Sequence, residues 1–182
     1  MNIVRETTQK RMKIFIVRPA PGEKSRAILQ YGSLTIPVAI GRNGRTVFKR
    51  EGDGKTPIGT MRFLHGFYRA DRTKRIPSKL DLKSIQPNMR WSDDPRDPNY
   101  NRLTRHPRNL SHEEMTRTDS LYNVCLVLDW NVSCRRRNLG SAIFMHLIRP
   151  GYEPTAGCIA LHPRDMQRLL PHISRDCMIR VL

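Results

Sequence analysis

Gly140-Ser-Ala-Ile-Phe-Met-His-Leu-Ile148 and Thr155-Ala-Gly-Cys-Ile-Ala-Leu161 are uncharged runs in an otherwise charged chain, and their reading decides the fold. Each reads as an apolar strand, Ala142 to Ile148 and Gly157 to Leu161. A period of two puts Phe144, His146 and Ile148 on one face, and Cys158, Ala160 and His162 on one face. The expected pairing is antiparallel with His146 opposite Cys158, which would set their Cβ atoms roughly 5 Å apart. Residues 149–157 would then form a loop at the mouth of a site, with Pro150, Gly151 and Pro154 suited to it.

A thiol and an imidazole so placed suit a cysteine acyltransferase or hydrolase. A free thiol, with a pKa of about 8.5, is mostly protonated at neutral pH. A nearby imidazolium lowers that value and later hands a proton to the leaving amine. Gly157 lets a substrate carbonyl approach the backbone, and the N–H groups of Gly157 and Cys158 are natural oxyanion donors. Taken singly, Cys158 and His146 fit ordinary core positions as well. Together, with Gly157 adjacent, they point to catalysis.

Outward from this pair the chain reads as mainly β. Lys13 to Arg18 is a first strand, broken by Pro19-Ala-Pro-Gly22. Ala27 to Tyr31 and Leu34 to Ile40 form a hairpin around Gly32-Ser33. A turn at Gly41-Arg-Asn-Gly44 leads to a short strand, Thr46 to Lys49. Gly52-Asp-Gly-Lys-Thr-Pro-Ile-Gly59 has the look of a phosphate loop, but Lys49 stands where a Walker A glycine is needed and Pro57 interrupts the following helix. It is instead a tight loop feeding a strand, Thr60 to Arg69. Residues 70–112 read as a long ordered loop given packing groups by Trp91, Tyr100 and Leu103. Ser111-His-Glu-Glu114 carries a capping-box pattern and predicts a short helix. Tyr122 to Trp130 is a strand with Val124, Leu126 and Leu128 on one face, and Cys125 and Val127 on the other. Pro163 sits at a helix N1 position, with Met166, Leu169 and Leu170 at helical spacing behind it. Cys177 to Leu182 closes the chain as a strand. The fold expected is mainly β, a mixed sandwich or barrel of about eight strands with two short helices.

At 182 residues one domain is expected, residues 12–182, behind a flexible arm, 1–11. Lys and Arg number 33 against 16 Asp and Glu, a net charge of +17, which favours anionic partners. Arg135-Arg-Arg137 is the densest basic run and reads as a solvated loop. The cysteines, Cys125, Cys134, Cys158 and Cys177, have no CxxC spacing, and Cys125 reads as a small core residue. Cys158 and His162 have no second Cys/His pair at finger-like spacing, and HExxH is missing, so a structural metal is not expected, and a cysteine-based enzyme is expected to use no organic cofactor either. No run is long enough to span a membrane, and Met12-Lys-Ile-Phe-Ile-Val17 is too short for a signal-peptide core. Nucleic acid is not the expected partner, since neither an RNP-like nor a zinc-finger signature is present.

His146…Thr155-Ala-Gly-Cys-Ile159 resembles the signature of the YkuD-type L,D-transpeptidases of bacterial cell walls. Gly54-Lys-Thr-Pro-Ile-Gly-Thr-Met-Arg-Phe63 is similar to the Thr-Pro-x-Gly-x-Phe segment of that family. Ser141 to His146, Thr155 to Leu161, Trp91 to Pro95 and Tyr100-Asn101 resemble one of its branches, and the likeness runs from about Met12 to the C-terminus. It implies that Cys158 is the nucleophile, that His146 is general base and acid, and that the carbonyl of Leu147 orients the ring. The substrate implied is a peptidoglycan tetrapeptide stem, whose acyl group passes through Cys158 to an amine acceptor in a 3→3 cross-link. A periplasmic or cell-wall location follows from the same likeness, although no signal peptide is visible. Thr155, Arg149, Trp91 and Tyr100 are the expected substrate-binding residues. Many members have His where Ala156 stands and Arg where Ala160 stands. Arg149 or Arg102 would then serve a substrate carboxylate, and Asp93 or Asp94 an ammonium group. Two other readings remain open: a hydrolase (L,D-carboxypeptidase or amidase) using the same pair, and a non-catalytic basic module that binds nucleic acid or wall polymer.

Overall fold

The computed structural model describes residues 12–105 and 109–182. The arm expected at 1–11 lies outside the described residues. Three strands open the chain, β1 (Lys13–Pro19), β2 (Arg26–Tyr31) and β3 (Leu34–Ala39). Then come β4 (Arg45–Thr46), β5 (Thr56–Pro57), β6 (Gly59–Tyr68), β7 (Leu82–Ser84), β8 (Arg90–Ser92), β9 (Leu103–Thr104) and β10 (His112–Glu114). The last elements are β11 (Val124–Leu128), β12 (Phe144–Leu147), β13 (Ile159–Leu161), α1 (Pro163–Leu169) and β14 (Cys177–Val181).

The main sheet runs β11-β12-β13-β3-β2-β1-β14-β6, and β6 pairs back onto β11, so eight strands close a barrel. Closure removes the open edges that a sheet otherwise exposes. Alternate residues of every barrel strand enter one apolar cluster, among them Phe15, Leu29, Ile36, Phe63, Leu126 and Met145. Met166 and Leu169 of α1 join it. The helix forms where expected, with Pro163 at its first turn and His162 Nδ1 accepting from Arg164 N–H at 3.2 Å.

A second cluster covers the outer face of β11 and β12. Cys125, Val127 and Phe144 pack there against Ile85, Met89, Trp91, Met115 and Tyr122. Every residue of β11 and of β12 is therefore buried, which is why both read as continuous apolar runs rather than alternating ones. The stretch 70–112, expected to be a loop, contains β7, β8 and β9, and β8 is the middle strand of a small sheet ordered β10-β8-β9. This segment is the cover.

Four expectations are corrected. Ser111–Glu114 is not a helix start: His112, Glu113 and Glu114 pair antiparallel with Ser92, Trp91 and Arg90. Ser111 N–H donates to Asp94 Oδ2 at 3.3 Å, so tertiary pairing overrides the local capping pattern and only one α-helix forms among the described residues. The strand expected at Thr46 to Lys49 ends at Thr46, whose Oγ1 accepts from Phe48 N–H at 3.0 Å while Lys49 turns inward to Asp53. The strand expected from Ala142 begins at Phe144, because Ala142 takes a left-handed φ of 50°. Finally, β12 and β13 pair parallel, His146 with Ala160 and Leu147 with Leu161. Their connection is no hairpin: Thr155 bridges the end of β3, donating to Ile40 O at 2.9 Å and accepting from Arg42 N–H at 2.8 Å. The chain thus travels back along its neighbour before re-entering the sheet, as a parallel pair requires.

Leu126 lies at the contact of barrel interior and closing strand and is fully buried. Leu126→Ala should cost about 2–5 kcal/mol, read as a lowered urea midpoint at unchanged m-value.

Candidate active site

Cys158 immediately precedes β13, and His146 is the third residue of β12. The parallel register sets His146 beside Ala160, so Cys158, two residues earlier, falls on the same face one step along. The shared face expected from the sequence survives the change of strand direction; the directly opposed pairing does not. Such diagonal neighbours are within reach when one side chain is long, as the imidazole is.

The thiol is partly exposed and anchored at the backbone. Its Sγ–H donates to Ala142 O at 3.1 Å, and Phe144 N–H donates to Sγ at 3.4 Å. Thr155 staples the turn before it: Oγ1 donates to Cys158 O at 2.7 Å and accepts from Gly157 N–H at 3.1 Å. The Gly157 N–H, an expected oxyanion donor, is thus engaged within the loop. Gly157 has a φ of 146°, and a Cβ there would sit 2.8 Å from Lys55 O. Gly41 likewise leaves room for Gly54 O. The loop 52–59 therefore packs its backbone directly against the turn that carries the thiol, and glycine is required on the facing side.

His146 is 4 % exposed, and its Nδ1 lies 2.7 Å from Leu147 O, the ring contact the sequence resemblance implied. A carbonyl can only accept, so Nδ1 carries the proton and Nε2 the lone pair. The Tyr122 ring stands edge-on to the imidazole at 5.4 Å. Burial pushes the His146 pKa down to about 4, against the opposing effect of the Leu147 hydrogen bond. Burial also pushes the Cys158 thiol up to about 12, offset in part by the Phe144 N–H. Burial thus favours the neutral form of both groups in the resting pair.

Both groups open on one pocket of about 190 Å³, which Thr155 and Arg149 also line. Glu113, Arg117 and Tyr122 line it too, and sequence reasoning missed all three. Charges alternate along one wall. Glu113 lies 3.6 Å from Arg117, Arg117 lies 2.7 Å from Asp119, and Arg149 lies 3.7 Å from both Asp119 and Glu153. Burial raises the Glu113 pKa, against the Tyr122 O–H that donates to it at 3.1 Å. The available signal was the period of two in His112-Glu-Glu114: Glu114 pairs outward with Arg90, so Glu113 faces the opposite way.

Trp91 and Tyr100 are 3 % and 2 % exposed and stand apart from the pocket lining. Trp91 packs edge-on against Phe144 at 5.1 Å, beneath β12. Arg102 is exposed and away from the pocket, and Asp94 is taken by a paired contact with Arg96. Asp93, although close enough to raise the Glu113 pKa, is not part of the lining. His162, the other zinc candidate, caps α1. All four cysteines are free, Cys125 and Cys177 buried and Cys134 exposed.

Residues 21–181 match the YkuD family, the L,D-transpeptidase catalytic domain. The chain belongs to that family. Among solved structures, L,D-transpeptidase 1 of Mycobacterium tuberculosis is similar at 13% identity and a TM-score of 0.40, over 93% of this chain and 60% of that one. The chain thus spans less than two thirds of that relative. No curated protein matches it. Within this L,D-transpeptidase domain, Ala156 and Ala160 both line the pocket, whose positive charges are Arg42, Arg117 and Arg149.

Two outcomes follow from the geometry. Gly157→Ala should lower stability by about 1–3 kcal/mol in urea unfolding, through its left-handed φ and the Lys55 carbonyl. His146 ionises near pH 4 in the fold but near 6.5 when exposed, so below pH 6.5 the unfolded chain takes up the proton first. Its contribution is full above 6.5 and is lost as pH falls towards 4, with a slope of up to about 1.4 kcal/mol per pH unit. Subtracting His146→Gln from wild type should isolate that slope. Asp71 and Asp94, each held by an arginine below the usual carboxylate range, titrate at lower pH than this window.

Proposed function

We propose that the chain is a cysteine-dependent peptidoglycan L,D-transpeptidase in which Cys158 is the nucleophile and His146 the general base and acid. The observation that carries the reading is the thiol and the imidazole on one face of adjacent strands, opening on one pocket, with Nδ1 engaged by Leu147 O. That arrangement leaves Nε2 to receive the thiol proton.

The neutral resting pair makes proton transfer part of the attack rather than a step before it. As Sγ approaches the amide between diaminopimelate and the terminal D-Ala of a tetrapeptide stem, its proton passes to Nε2. The tetrahedral oxyanion falls to the backbone N–H of Cys158, since that of Gly157 is held by Thr155. Collapse breaks the C–N bond, Nε2–H protonates the departing D-Ala amine, and a thioester remains on Cys158. An acceptor amine then gives a proton to Nε2, attacks the thioester and restores the thiol.

Substrate recognition is assigned to the alternating charges of the pocket wall. A stem peptide carries carboxylates and a free ammonium group. Arg149, with Arg117 and Arg42 beside it, suits the former, and the desolvated Glu113 suits the latter. The net charge of +17 supports accumulation at an anionic wall. Among the described residues no helix is long and apolar enough to cross a membrane. A location on the wall side of the membrane belongs to the same proposal.

Incubation with disaccharide tetrapeptides and an amine acceptor should release D-Ala and yield cross-linked dimer. Cys158→Ala and His146→Ala should each lower turnover at least about a thousandfold with the fold intact. A carbapenem should add its mass to Cys158. Hydrolysis products alone, with and without acceptor, would reassign the site to a hydrolase, and an adduct on Cys134 would move it.

A further inference from the structure

Asn101 is 1 % exposed, has a left-handed φ of 57° and lies outside the pocket lining, yet it reaches the nucleophile in two steps. Its Oδ1 accepts from Trp91 Nε1–H at 3.0 Å and from Ala142 N–H at 3.0 Å. Both partners can only donate, so the amide orientation is settled with oxygen between them. Its Nδ2 donates to Trp130 O at 3.1 Å, and its own backbone N–H donates to Ser92 O at 2.8 Å. Every polar group of this buried side chain that has a role here is directed at backbone or indole, which is costly to leave undone.

Ala142 is the far end of that clamp. It is a non-glycine residue at a φ of 50°, a conformation that costs about 1 kcal/mol or more and persists only where its surroundings impose it. The residues before it are pinned as well. Ser141 O–H donates to Glu51 Oε2 at 2.8 Å, Tyr100 O–H donates to the same oxygen, and Asn131 Nδ2 donates to Gly140 O at 2.9 Å. What the strained residue presents is its carbonyl, which accepts the Cys158 Sγ–H at 3.1 Å.

We propose that Asn101 is a positioning residue for the nucleophile: clamped by Trp91, it holds Ala142 in the left-handed turn whose carbonyl parks the thiol proton and aims Sγ at the pocket. The Trp91…Tyr100-Asn101 segment then acts through the backbone behind the thiol rather than by touching substrate. Releasing Ala142 turns its carbonyl dipole away from sulfur, so the thiol ionises more readily but loses its aim. Reactivity towards a small alkylating reagent and turnover should therefore move in opposite directions, which simple loosening of the fold would not produce.

The test follows alkylation of Cys158 by iodoacetamide against pH, by peptide mapping in a Cys134→Ser background. In folded Asn101→Ala the profile should move to lower pH and the rate at pH 7.5 rise about threefold or more, since a thiol that ionises one pH unit lower holds about tenfold more thiolate. Trp91→Phe keeps a ring against Phe144 but removes the indole N–H, and should move the profile the same way. Asn101→Asp keeps an acceptor oxygen for both donors and should show no acceleration. Wild-type profiles in folded Asn101→Ala and Trp91→Phe would overturn the proposal, as would an Asn101→Asp profile like that of Asn101→Ala. Should Asn101→Ala fail to fold, Trp91→Phe decides alone. The consequence for turnover rests on the transpeptidase reading: kcat should fall about tenfold with KM within about twofold. The alkylation arm needs no substrate, so it separates failure of this proposal from failure of that reading.

Discussion

Burial of β12 on both faces is the constraint on which the rest depends. A histidine on such a strand is surrounded by Phe144, Tyr122 and the barrel wall, which disfavours a charge on its ring. The imidazole is therefore held neutral, and so is the thiol that shares its face. Burial of this kind disfavours a standing thiolate. On the proposed reading, proton transfer then coincides with bond formation. The Leu147 carbonyl matters more in this setting than it would at a surface, because it decides which ring nitrogen is left to act.

Covering the outer face is the task of residues 85–122. They place Trp91 and Met115 beneath Phe144, and Tyr122 beside His146. The same segment brings Glu113 and Arg117 to the pocket wall. Desolvation of His146 and polarity of the wall thus come from one piece of chain, so on the proposed reading a change that loosens the cover would alter proton transfer and recognition together. The loop 149–156 adds Arg149 and Thr155 to the pocket, but Thr155 spends its hydroxyl on the turn itself.

The legible parts were those written in local pattern. The β2–β3 hairpin follows from Gly32-Ser33, α1 from Pro163 and its apolar spacing, and the two faces of β11 from strict alternation. The shared face of Cys158 and His146 was legible because a strand period of two does not depend on strand direction. Direction itself was hidden, since the pairing of β12 with β13 is decided by Thr155 bonding to the end of β3, a contact distant in sequence. Glu113 was hidden for a related reason: a Ser-x-x-Glu spacing has a strong local reading, and only pairing of β10 with β8 cancels it. Trp91 and Tyr100 were expected to bind substrate, but both are buried away from the pocket lining, and sequence cannot distinguish a residue that faces a pocket from one that supports it from below.

Parallel pairing has a consequence for the chemistry that an antiparallel hairpin would have lacked. In a hairpin the nucleophile and base would face each other across a tight turn, and the pocket would be bounded by that turn alone. Here the chain leaves β12, passes the end of β3 and returns at Gly157, so the thiol enters the sheet beside the loop 52–59 instead. The close approach of Lys55 O to Gly157 is the result. Buried Lys49, bonded to Asp53 and to the Arg50 carbonyl, stiffens that loop from within. A rigid backbone wall therefore stands behind the turn that carries Cys158. On the proposed reading, recognition of a charged stem peptide depends on where the sheet forces the chain to re-enter as much as on the side chains that line the pocket.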